Sequence, residues 1–115
     1  MKAEMEKRIR TRLDGLKERL VGELPARLDQ LEYAYQSWLH SRDPADLQTF
    51  HRLSHSLTGA AATFGFADLA TTTRTLESHL KALCQSRASS SAQIEAIPAM
   101  MEAVATSVHA ILEPA

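Results

Sequence analysis

At 115 residues the chain has room for one domain around one core. Thirteen Lys and Arg against fourteen Asp and Glu give a formal net charge of −1, without the basic excess of a dedicated nucleic-acid binder. With 44% hydrophobic and 23% charged residues the composition is globular, and a single cysteine, Cys84, excludes an internal disulfide and any multi-thiolate metal centre. No apolar run approaches the roughly 18 residues that span a bilayer, and Met1-Lys2-Ala3-Glu4 leads into charged sequence rather than a leader. The expectation is a cytoplasmic protein without membrane insertion. Four glycines, four prolines and few aromatics favour an all-α chain.

Residues 1–23 form a candidate N-terminal helical extension. Residues 1–22 carry seven of the thirteen basic side chains, and Ile9, Leu13, Leu16 and Leu20 give them a narrow apolar stripe. The five acids in residues 1–23 dilute that basic face, which weakens a membrane-surface reading. A solvated helix packed across the end of the bundle is expected, with a coiled-coil dimer through residues 1–22 as the alternative to a monomer. Pro25 either starts a new helix or sits in a continuous one.

Residues 24–115 form the candidate bundle. Apolar positions recur at steps of three and four in Leu24, Leu28, Leu31, Tyr35 and Trp38. They do so again in Leu47, Phe50, Leu57, Ala61 and Phe64, with Ser54 in one register position. A third set is Leu69, Thr73, Leu76, Leu80 and Leu83, and a fourth runs from Ile94 through Ile97, Met101, Val104 and Val108 to Ile111. Asp43-Pro44 reads as an N-cap with proline at the first helical position. Gly65 suits the left-handed residue after a helix, and with Phe66 forms a tight hairpin between the second and third sets. Arg87 to Ser91 is a polar connector, Ser90 with Gln93 forms a capping box, and Pro98 either kinks the last helix or marks a later start. Four amphipathic helices with short joins predict an antiparallel four-helix bundle preceded by an additional helical segment.

The second helix departs from this pattern on its outer face. At 100° per residue, His55 falls roughly 140° from the centre of the apolar set and Gly59 opposite it. The stripe Arg52, His55, Gly59, Ala62 and Thr63 therefore faces water. Yet residues 53–67 hold no charged side chain, and an exposed mid-helix glycine costs about 1 kcal/mol against alanine. A small, uncharged surface one turn from a histidine is what a docking partner requires.

The run His55-Ser56-Leu57-Thr58-Gly59-Ala60-Ala61-Ala62-Thr63-Phe64-Gly65 resembles the signature of the histidine-containing phosphotransfer (HPt) domain family. That signature is His, any residue, Leu, Lys, Gly, small residues, then an apolar residue and Gly. Phe50-His51-Arg52-Leu53 before it, and Phe66-Ala67-Asp68-Leu69 through Leu76-Glu77 after it, match as flanks, so the resemblance spans roughly residues 24–112. It implies a four-helix bundle and a phosphocarrier rather than an enzyme, with His55 taking a phosphoryl group on Nε2. The implied partner is the receiver domain of a response regulator or hybrid kinase, which supplies Mg²⁺; no cofactor is expected on this chain. The family's usual lysine is Thr58 here, so the phosphoryl surroundings are expected from Arg52, Thr58, Gly59, Ala62 and Arg74. A tight hairpin at Gly65 sets His55 level with Leu76, which brings Arg74 near.

Two other readings compete. An HPt-like bundle that docks a receiver without taking phosphate is favoured by Thr58. A metal site on His51 and His55, four residues apart, is opposed by Arg52 between them, so no metal is expected. His40, His79 and His109 read as surface histidines, Cys84 as a buried or half-buried residue, and Tyr35 and Trp38 as core anchors with Tyr33 nearer the surface.

Overall fold

A computed structural model of the chain describes residues 1–86 and 90–113. Among the described residues five helices follow one another: α1 (Lys2–Ser41), α2 (Pro44–Thr63), α3 (Ala67–Gln85), the single turn α4 (Ser91–Glu95) and α5 (Ile97–Leu112). The described residues contain no strand. The four long helices form the predicted antiparallel bundle: α1 packs on α2, α2 on α3, α3 on α5, and α5 closes back on α1.

The four apolar sets meet at the centre. Leu24, Leu31, Phe50, Leu57, Leu76, Leu80, Ile97, Val104 and Val108 have essentially no exposed surface, and Tyr35 packs on Phe50 with ring centroids 5.7 Å apart. Each such side chain stabilises the fold by about 1.5–3 kcal/mol through the water it sheds. Ser54 and Thr73 are buried among them, their hydroxyls donating to the carbonyls of His51 and Leu69. Back-bonding of this kind lets a hydroxyl enter a core without an orphaned donor.

The helix ends follow their local chemistry. The Asp43 side chain accepts from the Ala45 N–H, and Pro44 stands where its missing N–H is not needed. At the far end of α2, Gly65 adopts φ +77°; its N–H bonds Ala62 and that of Phe66 bonds Ala61, the paired bonds of a Schellman cap. Nothing stands within 4 Å of a Cβ built on Gly65, so backbone conformation alone selects glycine. Gly65→Ala should lower the unfolding free energy by about 1–2 kcal/mol, read from the shift in urea midpoint. Ser90 and Gln93 form the expected capping box, and Pro98 marks a new start, with α5 beginning one residue before it. Arg87, Ala88 and Ser89 of the connector lie outside the described residues.

The N-terminal segment differs from the expectation. It is not laid across the bundle end: α1 runs unbroken through Pro25, and residues 1–19 are exposed. The apolar face of its second half (Leu24, Leu31, Trp38) is held by the bundle, whereas the first half stays exposed as far as residue 19. Where the two halves join, the Lys17 ammonium stands 5.0 Å from the Phe66 ring. Cys84 also differs; it lies on the exposed side of α3, where partial burial still pushes its thiol pKa up.

Candidate functional site

The outer face of α2 is bare in the predicted places. Arg52, His55, Gly59, Ala62 and Thr63 are all exposed. A Cβ on Gly59 would meet nothing within 4 Å, so no packing demand of this chain selects glycine there. Thr63 turns its hydroxyl back onto the Gly59 carbonyl at 2.8 Å.

His55 stands 70% exposed on this face, but its ring is not free to rotate. Nδ1 is engaged by Oε1 of Glu77, which reaches across from α3 and is itself only 18% exposed. A carboxylate can only accept, so the proton of a neutral ring lies on Nδ1 and the lone pair is left on Nε2. On its other side the ring stacks on His51, centroids 6.4 Å apart and planes 23° from parallel. His51 is half-buried, and its own Nε2 is enclosed without a hydrogen-bond partner among the described residues. One ring nitrogen is thus pinned, while most of the side chain stays open to solvent.

Arg52 lies one turn before His55 on α2, and Arg74 one turn before Glu77 on α3. The two helices run antiparallel, so these guanidinium groups fall on opposite sides of the histidine along the bundle axis. Both are exposed, and neither joins an ion pair among the described residues. Thr58 is placed otherwise than the motif spacing suggested. It is 93% buried, and its hydroxyl donates to the Ser54 carbonyl at 2.8 Å, so its one proton does not face the site. Gly59 and Ala62 complete the smooth ground one and two turns beyond the ring.

Glu77 is the residue that motif reading placed only in a flank. The acids nearest His55 in sequence are Asp46 and Asp68, whereas the one nearest in space is 22 residues away. The hairpin arithmetic that set His55 level with Leu76 supplied half of the signal, since Glu77 is the next residue along α3. His79, taken for a surface residue, is half-buried and holds α4 through Nε2 to the Gln93 carbonyl at 2.6 Å. No group of three or more His, Cys, Asp or Glu gathers in a metal-holding arrangement among the described residues.

A bundle presenting one histidine on a bare helix face is the architecture of a phosphoryl carrier module. The family model of the Hpt domain matches residues 15–107, and the chain belongs to that family. Hpt domains are phosphocarriers of histidine phosphotransfer in phosphorelays, where their partners are receiver domains. No curated protein and no solved structure matches the chain significantly. Among the described residues no helix is long and apolar enough to cross a membrane.

Proposed function

We propose that this chain is a cytoplasmic phosphorelay carrier whose His55 accepts a phosphoryl group on Nε2 from the aspartyl phosphate of a receiver domain and passes it to another. The observation that carries this reading is the pinned, mostly exposed ring, with Nδ1 on Glu77 and the open ground of Gly59 one turn away.

In the forward step the Nε2 lone pair attacks phosphorus in line. The bond from phosphorus to the receiver's carboxylate oxygen breaks, and the aspartate leaves as an anion. The ring becomes a cation that keeps its Nδ1 proton, and the Glu77 carboxylate stands beside the charge as it develops. Arg52 and Arg74 supply positive charge toward the phosphoryl oxygens, the part given elsewhere to a lysine at the position of Thr58. Mg²⁺ belongs to the receiver. Because the helix holds the ring, orientation is settled on folding rather than at each encounter.

The test is incubation with a receiver phosphorylated on aspartate. Label should appear on the chain in an acid-labile, alkali-stable form and be absent from His55→Gln. Complex formation without label would overturn the carrier reading in favour of docking alone, a reading that the committed hydroxyl of Thr58 supports.

A further inference from the structure

The first half of α1 carries large apolar side chains into solvent. Met5, Ile9 and Leu13 are 65%, 54% and 49% exposed, and Leu16 is 40%. They share one face, which continues into buried Leu20 and Leu24. Helical geometry puts Arg8, Arg12 and Arg19 along one edge of this stripe and Arg10 and Lys17, with Glu6 beside them, along the other, with Asp14 and Glu18 on the far side. No ion pair engages these five cations among the described residues. Residues 1–22 hold seven basic and four acidic side chains, a charge of +3, which leaves −4 on residues 23–115.

A second face of the molecule is equally unpartnered and opposite in character. Between α3 and α5 a groove of about 930 Å³ opens at the hairpin end, beside Gly65 and Phe66. Its floor on α5 is Ala99, Ala103, Ser107 and Ala110, and Asp68 and Glu102 stand along it. Glu102 is the sole Asp, Glu, Lys or Arg in α5. An exposed helix face of small uncharged residues is poor at meeting water and well shaped to receive large side chains.

We infer that the N-terminal half of α1 in one copy of this chain lies in the α3–α5 groove of a second copy, and the reverse, to form a two-fold dimer. Three observations fit together. First, Met5, Ile9, Leu13 and Leu16 are spaced by four, four and three residues, as are Ala99, Ala103, Ser107 and Ala110. Both runs span about 17 Å of helix, so a parallel pairing sets each large side chain over a small one. Second, basic edges meet acidic ones, whereas pairing arm against arm would oppose Arg10, Arg12, Lys17 and Arg19 to their own kind. Third, the arm leaves its bundle at the hairpin end, where the partner's groove opens, so a single two-fold axis satisfies both arms and closes the assembly. The inference does not depend on the phosphotransfer reading.

Sedimentation equilibrium of the full chain tests it. A dimer is expected, weakening about tenfold or more as salt is raised through physiological strength, because the edge contacts are screened. Ile9→Glu with Leu13→Glu, and separately Ala103→Arg, should each give monomers with unchanged helical circular dichroism; all three positions are exposed, so folding is not at stake. Glu102→Arg should weaken the dimer, and Arg10→Glu with Arg12→Glu in the same chain should restore it. A monomeric wild type overturns the inference. So does an Ala103→Arg chain that remains a dimer strengthened by salt, the mark of an arm-to-arm coiled coil. Sedimentation of a monomeric chain with phosphatidylserine vesicles through the same arm would overturn it in favour of a lipid surface.

Discussion

Glu77→Ala should slow phosphoryl uptake at His55 by about 10- to 100-fold while leaving the bundle folded. Two losses combine. Without an acceptor on Nδ1 the neutral ring distributes its proton over both nitrogens and turns about its bonds to the helix, so fewer encounters find a lone pair in line. Without the carboxylate, the positive charge that builds on the ring also loses its neighbour, an interaction worth about 1–4 kcal/mol at contact distance in aqueous to surface-like dielectric. Glu77→Gln separates the two: its amide oxygen still accepts from Nδ1 but carries no charge, so its rate should fall between wild type and alanine. Single-turnover transfer from a phosphorylated receiver measures this directly. An alanine variant as fast as wild type would reduce the His55–Glu77 contact to a surface accident.

Gly59 should show stability and transfer moving in opposite directions. A Cβ there meets open space, so Gly59→Ala should raise the unfolding free energy by about 0.5–1 kcal/mol through helix propensity. Gly59→Gln should keep most of that gain. Its longer side chain, one turn from the nucleophile, should nevertheless hold an incoming domain off the ring and lower the transfer rate by about tenfold or more, since a displacement near 1 Å can cost 100-fold in an oriented reaction. Denaturant midpoints and transfer rates on the same three proteins provide the comparison. Equal transfer by all three would mean that the receiver approaches elsewhere.

The bundle and the exposed face of α2 were legible because both depend on helical period and caps, which are local. His55, Gly59 and Ala62 fall outward by phase alone, and Gly65 announces its left-handed turn. Thr58 was misjudged because motif spacing was followed where phase was decisive: Ser54, Thr58 and Ala61 stand at steps of four and three, all on the buried side. Glu77 required axial register between two helices together with the rotation of the second, and only the first could be read from the length of the hairpin. The course of α1 was not legible for a different reason. Pro25 permits a break, and its exposed place in a helix anchored by Leu24 and Leu31 overrides that permission.

The corner at Gly65 also acts as a gauge of length. His55 and Glu77 lie 10 and 12 residues on either side of it, so the meeting of imidazole and carboxylate is set by counting along two rigid rods from one shared origin. One residue added to either arm would advance everything beyond it by about 1.5 Å and swing it by about 100°. The hydrophobic seam could recover from that by sliding, but the acid would no longer find its histidine. An inserted or deleted residue on either side of this bend should therefore break the His55–Glu77 contact before it breaks the bundle.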